Sequence, residues 1–176
     1  MSAAPPTVRT RRLLLRASRD DDVDALYAVQ GDREAMAHTW WAPDREAVAA
    51  RLEAYAARHA GDGFSPWTAE LRDGGEVIGW GGLCVDPFDP AWGPEVAYFV
   101  HPRLWGRGLA SEIVEAALAL AFRELALPAV GAFARPQNAA SLRVLEKQGF
   151  RFVRYLPDMD RNQYAIDQER YQACRD

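Results

Sequence analysis

A helical apolar face between two strand-like segments is the feature of this sequence that most limits its fold. Apolar residues recur there at intervals of four, four and three: Leu109, Ile113, Ala117 and Leu120. This spacing predicts a helix over residues 108–124. The apolar segments Glu95–Val100 and Ala129–Ala134 on either side have the length of strands, and His101-Pro102 stops the first. The alternation of strands and helices predicts a mixed α/β sheet.

The rest of the chain carries the same two kinds of pattern. Alternation or turn-bounded apolar runs predict strands at residues 12–16, 68–71, 77–85, 150–155 and 162–169. Spacings of three and four predict helices at residues 23–30, 44–58 and 138–148, the second of them closed by Gly61 and Gly63. The 176 residues, 49% of them hydrophobic, suit one domain over residues 1–176, with a core at about 8–170 and a short flexible N-terminus.

Charge and composition argue against several classes of protein. A formal net charge of -4 and a pI of about 5.4 do not provide the positive field that meets phosphate backbones, so we expect no nucleic-acid partner. Neither the two cysteines, Cys84 and Cys174, nor the three histidines, His38, His59 and His101, have metal-ligand spacing, and we expect no metal. No segment resembles a signal peptide or a membrane span, which predicts a cytoplasmic protein without a membrane partner.

The turn before the apolar helix is the strongest chemical signal. Residues 99–111 read FVHPRLWGRGLAS, so a strand ends, Gly106 and Gly108 follow, and a helix begins. Free N–H groups at a helix N-terminus can hold a pyrophosphate, and Arg103 and Arg107 add positive charge. The glycines alone fit an ordinary tight turn with solvated arginines equally well. The spacing matches neither a P-loop nor a complete dinucleotide-binding fingerprint, which argues against an NTPase and a dehydrogenase.

Three motifs resemble those of one family, in the family's order. They are Thr10-x-Arg12-Leu13-x-Leu15-Arg16, Arg103-x-x-Gly106-x-Gly108-x-Ala110, and Asn138-x-x-Ser141 followed by Glu146-Lys147 and Gly149-Phe150. The second resembles the acetyl-coenzyme A motif of the GNAT superfamily, and the third resembles that family's second motif. The first is similar to the start of the branch that contains the ribosomal-protein N-terminal (alanine/serine) acetyltransferases. The resemblance spans roughly residues 8–170.

This resemblance implies a fold and a cofactor site. The implied fold is α/β (α+β), a mixed twisted sheet of six to seven strands with helices on both faces. Acetyl-coenzyme A would enter where Glu95–Val100 and Ala129–Ala134 splay apart. Main-chain groups of Phe99 and Val100 would bind the acetyl-pantetheine arm, and Asn138 would contact the pantetheine unless it only caps its helix. The implied diphosphate-binding residues are Arg103, Leu104, Trp105, Gly106, Arg107, Gly108, Leu109, Ala110 and the Ser111 hydroxyl.

The implied activity is transfer of an acetyl group from acetyl-coenzyme A to a primary amine. An alkyl amine has a pKa of about 10, so a base must remove its proton, and Glu95 at the start of a cofactor-lining strand is our candidate. Ser141 is the first candidate to protonate the coenzyme A sulfur, with Tyr155 as the alternative. Cys84 lies in an apolar strand and Cys174 in the tail, which favours direct attack in a ternary complex over an acyl-cysteine.

The acceptor is the least determined part of the sequence. Trp40 and Trp41, which precede the second predicted helix, are candidate substrate contacts beside Glu95, and Asp86 and Asp89 are weaker candidates to attract an amine. An acidic chain suits a peptide N-terminus, a polyamine or an aminoglycoside, and nothing in the residues chooses among them. A non-catalytic acyl-coenzyme A sensor and a purely structural module are the rival interpretations. The sequence is compatible with a homodimer and does not determine the acyl-chain length.

Overall fold

The computed structural model describes residues 4–175, which contain one mixed sheet of eight strands. In chain order the strands are β1 (Val8–Arg9), β2 (Leu13–Arg16), β3 (Trp67–Leu71), β4 (Val77–Cys84), β5 (Glu95–Val100), β6 (Ala129–Ala134), β7 (Arg151–Leu156) and β8 (Arg161–Asp167). The helices are α1 (Val23–Gln30), α2 (Arg45–Asp62), α3 (Leu109–Ala119), α4 (Ala139–Lys147) and α5 (Gln168–Ala173). The spatial order of the strands is β1-β2-β3-β4-β5-β6-β8-β7.

The predicted mixed α/β sheet is confirmed, and seven of its eight strands lie where the sequence patterns predict strands. The additional strand, β1, is only two residues long and pairs antiparallel with β2, so a sheet of six to seven strands was an underestimate. Two residues are too few to produce a periodic pattern. The chain before β1 is also in contact with the fold, because the indole of buried Trp67 donates to the carbonyl of Pro6 at 2.8 Å. Residues 1–3 lie outside the described part of the chain.

Helix bounds differ from the predicted ones at three places. Helix α2 continues through Gly61 to Asp62, four residues beyond the predicted end. Gly63 caps it, because of the two glycines only Gly63 adopts the left-handed conformation, with φ of 80°. The apolar helix ends in a π-helical turn, Leu120–Glu124, instead of remaining α-helical. The last predicted strand ends at Asp167, whose carboxylate accepts from the Arg170 N–H and begins α5.

Helices cover both faces of the sheet and bury two apolar clusters. On one face Ile113 and Leu118 of α3 pack with Leu13 and Leu15 of β2, whose side chains are fully buried. On the other face α1 and α2 pack against β4 and β5. The principal members of that second cluster are Leu26, Val48, Tyr55 and Trp80.

Strand β5 is held closely on one side and loosely on the other. Six residue pairs join it to β4, where added Cβ atoms on Gly79 and Gly81 would lie 2.3 and 2.6 Å from β5 carbonyl oxygens. Only Glu95 and Val96 pair with parallel β6, opposite Gly131 and Ala132. Beyond Val96 the two strands diverge, as the family resemblance implied. The sheet therefore has an opening beside the second half of β5.

A buried ion pair connects β2 to the turn before α1. The Arg16 guanidinium donates to both carboxylate oxygens of Asp22 at 2.8 Å and to Glu70 at 2.9 Å. Burial by itself would raise the pKa of Asp22, but the bonds from Arg16 and from the Arg19 N–H outweigh burial and hold that pKa below its usual value. The pair is bidentate and buried, so removing the Asp22 charge leaves the Arg16 cation with Glu70 as its remaining partner among these three groups.

We expect Asp22→Asn to lower the free energy of unfolding by about 2 kcal/mol at pH 7, because it removes the bidentate partner of the buried Arg16 cation and leaves Glu70 to compensate that charge. The pKa of Asp22 is depressed in the folded state, so its contribution exists above the unfolded pKa and disappears as pH falls through the folded pKa. Urea unfolding should therefore show the two proteins converging below about pH 4. The exposed neighbour offers a control, Asp21→Asn, and equal losses in both variants would contradict the assignment.

Candidate active site

The opening beside β5 is a cleft of about 240 Å³ that reaches both faces of the sheet. Side chains alternate along β5, so Ala97 and Phe99 pack on the α1–α2 side, whereas Val96 and Val100 pack on the α3 side. Residues from both sets line the cleft, together with the start of α4 and the segment that precedes α2. Groups on opposite faces of the sheet can therefore meet in one space.

Glu95 lines the cleft from the α1–α2 side, at the start of the two-residue stretch in which β5 and β6 are paired. Burial, together with the negative charges of Asp86 and Asp89, raises the pKa of Glu95 to about 8, and Arg161 opposes the increase. The side chain is thus largely protonated at neutral pH and ionises slightly above it. This is the range in which a carboxyl group can take up a proton from an amine.

Ser141 and Tyr98 form a hydrogen-bonded pair that lines the same cleft from the other side. Their hydroxyl oxygens are 2.8 Å apart, and Ser141 lies in the first turn of α4. Burial raises the pKa of Tyr98 to about 12 although the bond with Ser141 opposes the shift, so Tyr98 remains protonated. Sequence reasoning missed Tyr98. Alternation along β5 was the available signal, because it puts this hydroxyl on the face opposite Glu95.

Asn138 caps α4, and its contact with the pantetheine stays a prediction. Its side-chain oxygen accepts from the Ser141 N–H at 3.2 Å, which caps α4, and the residue also lines the cleft. Phe99 lines the cleft too, stacked on Trp80 at a centroid distance of 5.9 Å. The carbonyl of Val100 accepts the Trp105 indole N–H at 2.8 Å, so this oxygen of β5 already has a partner.

The N-terminus of α3 has the geometry of an anion site. Gly106 and Gly108 have φ of 73° and 78°, values that glycine adopts without strain. Within residues 4–175 no side chain caps α3, and its first-turn N–H groups, from Leu109, Ala110 and Ser111, have no intrahelical acceptor. Those N–H groups and the helix dipole favour a phosphate.

The charged residues expected at this turn are arranged differently from the sequence-based expectation. Arg103 forms an ion pair with Glu76, and Arg107 is exposed. The side chains of Leu104 and Leu109 are buried in the apolar core. A cation that sequence reasoning did not assign also lies at the helix start: Arg12.

Arg12 of the segment before β2 is held against the first turn of α3. Its Nε donates to Glu112 at 2.6 Å, and Glu112 also accepts from the Arg12 N–H and the Thr10 hydroxyl. An added Cβ on Gly108 would lie 3.4 Å from the Arg12 Nη2 atom. The first sequence motif thus meets the second through Glu112, a contact between residues 100 positions apart.

The two tryptophans considered for the acceptor separate in the structure. Trp40 lines the cleft, with the Arg51 guanidinium 4.5 Å from its ring centroid. Trp41 instead donates its indole N–H to the Gly31 carbonyl at 2.8 Å and stacks with Arg33. Trp41 thereby joins the end of α1 to the following segment.

Three other candidates lie apart from the cleft lining or are chemically inert. Tyr155 is exposed on the edge strand β7, and its hydroxyl donates to Asp160 at 2.9 Å. Burial raises the pKa of Cys84 far above its ordinary value, so its thiol stays neutral, and Cys174 is exposed in the C-terminal segment.

Within the described chain no cluster of three or more metal-ligating side chains occurs. None of the helices in residues 4–175 is both long and apolar enough to cross a membrane.

Comparisons of sequence and of structure with known proteins find acetyltransferases in each case. A sequence model of the GNAT acetyltransferase domain matches residues 12–151. The uncharacterised N-acetyltransferase YoaA of Bacillus subtilis is 29% identical over 150 residues, which cover 82% of each chain. The crystal structure of an acetyltransferase from Agrobacterium tumefaciens shares 26% identity with a TM-score of 0.80, over 93% of this chain and 95% of that one.

An aminoglycoside acetyltransferase, AAC(6')-Ib, solved in complex with coenzyme A, has the same fold. The TM-score is 0.74 over 93% of this chain and 99% of that one, at 19% identity. The family model covers well over half of the residues and agrees with the splayed sheet. The chain therefore belongs to the GNAT family of acetyltransferases.

Proposed function

We propose that this acetyltransferase moves the acetyl group of acetyl-coenzyme A onto a primary amine by direct attack in a ternary complex, with Glu95 as the base. The observation that carries this proposal is the arrangement across the sheet. Glu95 enters the cleft from one face, and the Tyr98–Ser141 pair enters it from the other. One group can thus receive the proton that the amine loses, while the other can supply a proton to the leaving sulfur.

The structure fits acetyl-coenzyme A at both ends. The second half of β5 has no ladder to β6, so its backbone groups on that side, apart from the Val100 carbonyl, can bind an extended pantetheine arm. The uncapped start of α3 and the guanidinium of Arg12 are suited to the diphosphate. When bound, the cosubstrate supplies the acetyl group as an activated thioester. The groups that would hold it are the N–H groups of residues 106–111 and the side chains of Asn138 and Arg12.

Glu95 is suited to deprotonate an ammonium group. An alkyl amine carries its proton at neutral pH, and ionised Glu95 accepts this proton directly or through water. A carboxylate of ordinary pKa would be a much weaker base, whereas the raised value of about 8 brings Glu95 closer to the amine. The neighbouring Asp86 and Asp89 carboxylates also favour the approach of a cation.

Ser141 is the proposed proton donor to the coenzyme A sulfur, and Tyr98 orients it. The neutral Tyr98 hydroxyl, 2.8 Å away, fixes the Ser141 hydroxyl and can replenish its proton. A thiolate whose conjugate acid has a pKa of about 8.5 leaves readily, so this assistance contributes less than the base does. The nearby Cys84 is buried as a neutral thiol, which favours direct transfer without an acyl-cysteine.

Glu95→Gln should reduce kcat/KM by about 100-fold or more, because general-base assistance is lost. The wild-type rate should rise with pH through an ionisation near 8, and the variant should lack that step. Release of coenzyme A thiol across pH 6–10 measures both effects, and titration with coenzyme A checks that binding is retained. Undiminished turnover in the variant would contradict the assignment. Binding of acyl-coenzyme A without turnover on any amine would indicate the sensor function instead.

Asp86→Asn tests the cause of the unusual pKa. Removing this neighbouring negative charge should lower the pKa of Glu95, so the rising limb of the pH–rate profile should move to lower pH. Glu76→Gln removes a carboxylate outside the cleft lining and serves as the control, for which the limb should not move. A profile that is the same in all three proteins would mean that another group sets the limb.

Ser141→Ala and Tyr98→Phe should each lower kcat by about tenfold, a modest effect because the thiolate leaves with little help. Since the two hydroxyls act through one hydrogen bond, the double variant should lose little more than either single variant. Tyr155→Phe removes an exposed tyrosine hydroxyl and should retain kcat. A larger loss in Tyr155→Phe than in Ser141→Ala would make Tyr155 the donor.

Arg12→Gln should weaken binding of coenzyme A by about tenfold, because a charge-assisted bond to phosphate is lost. Calorimetric titration of coenzyme A and of pantetheine, which has no diphosphate, separates this effect from a general loss of structure. Pantetheine binding should be unchanged, as should coenzyme A binding to the exposed control Arg11→Gln. Equal weakening of both ligands would assign Arg12 a purely structural role.

A further inference from the structure

The acceptor end of the cleft contains acidic and basic side chains that form no salt bridges with one another among the described residues. Carboxyl groups of Asp86, Asp89 and Glu95 line it, together with the guanidinium groups of Arg51 and Arg161. Among residues 4–175 neither guanidinium has a carboxylate oxygen within 4.0 Å. An acceptor with only positive charge would leave these two cations without a counter-ion.

The carboxylates are held away from the guanidinium groups by their own loop. Asp86 accepts from the N–H of Phe88 at 2.9 Å, and Asp89 accepts from the Trp92 indole at 2.8 Å. Arg51 is enclosed by aromatic rings, with centroids 4.5 Å away at Trp40 and 4.7 Å away at Phe88. These contacts satisfy Arg51 in part without an anion.

Arg161 is the less satisfied of the two cations. It is partly buried, and its hydrogen bond goes to the carbonyl of His38 at 3.1 Å. Burial lowers the pKa of Arg161 and the guanidinium of Arg135 lowers it further, whereas the carboxylates of Glu95 and Asp160 oppose the shift. Asp160 lies 4.0 Å from Arg135. A guanidinium has five N–H donors in a fork that matches an oxyanion. Arg161 therefore has N–H donors that are available to an oxyanion in the cleft.

We propose that the acceptor amine also carries an oxyanion, a carboxylate or a phosphate, and that Arg161 binds this group while the amine lies at Glu95. The inference rests on the proposed function and narrows its substrate class. Amino acids, short peptides with a free C-terminus and aminoalkyl phosphates satisfy it. Polyamines and aminoglycosides do not, because they carry amines without an oxyanion.

A purely structural role for Arg161 would be to hold the segment before α2 through His38. Arg135 makes the equivalent contact, donating to the Ala37 carbonyl at 3.4 Å, yet it does not line the cleft. Arg135→Gln is therefore a matched control for Arg161→Gln. Both variants lose an anchor to the same segment, and only one loses a guanidinium from the acceptor site.

The experiment compares acceptors in pairs: amino acids and dipeptides with their C-terminal amides, and phosphoethanolamine with ethanolamine. The wild-type protein should use at least one oxyanion-bearing member about tenfold better than its neutral partner, through KM. The pair that shows this preference identifies the oxyanion. Arg161→Gln should lose most of the preference, and Arg135→Gln should keep it.

Several outcomes would overturn the inference. They are equal or better use of the neutral partners, preferential use of spermidine or an aminoglycoside, and equal loss of the preference in both variants. If no amine is acetylated, the proposed function fails, and calorimetric titration of the same pairs into the coenzyme A complex decides the inference separately. Tighter binding of the oxyanion-bearing member, lost in Arg161→Gln alone, would sustain it, and its absence would refute it.

Discussion

The candidate active site depends on a gap in the sheet, where the neighbouring strands β5 and β6 stop pairing after Val96. Backbone N–H and C=O groups nearly always find partners in a folded protein, and the second half of β5 faces a gap where a parallel neighbour would satisfy them. Such an edge inside a sheet is stable only when the surroundings define it or a ligand completes it. Here β4 supports β5 along six residue pairs, and helices cover both faces of the sheet beside the gap. The cleft, the base and the hydroxyl pair all depend on this gap.

Local patterns predicted most of the fold because the elements that form the cleft have strong local signals. The strands Glu95–Val100 and Ala129–Ala134 are short, apolar and bounded by turns, and their observed limits equal the predicted ones. The differences arise where local signals are weak or compete. Two residues of β1 carry no period, Gly61 permits a helix that Gly63 ends, and Asp167 starts a helix inside a predicted strand.

The candidate site was predictable only in part. A carboxylate at the start of β5 and a serine after Asn138 followed from motifs, and whether they act as base and donor stays a prediction. What the sequence could not reveal are contacts between distant positions, such as Tyr98 with Ser141 and Arg12 with Glu112. The raised pKa of Glu95 has no local sequence signature, because it results from burial and from charges on other segments. The unoccupied N–H donors of Arg161 have none either, because they depend on which side chains the fold brings near them.

The glycines of β4 have a mechanical consequence. Because Cβ atoms at Gly79 and Gly81 would collide with carbonyl oxygens of β5, only glycine at these positions lets β4 lie this close to β5. The two strands pair at all six residues of β5. Strands β6, β8 and β7 form the other part of the sheet, in which β6 pairs with β5 at only two residue positions. Glu95 and Tyr98 lie on β5 and Arg161 on β8, so the proposed base and the proposed oxyanion ligand are held by two parts of the sheet that pair at only two residue positions.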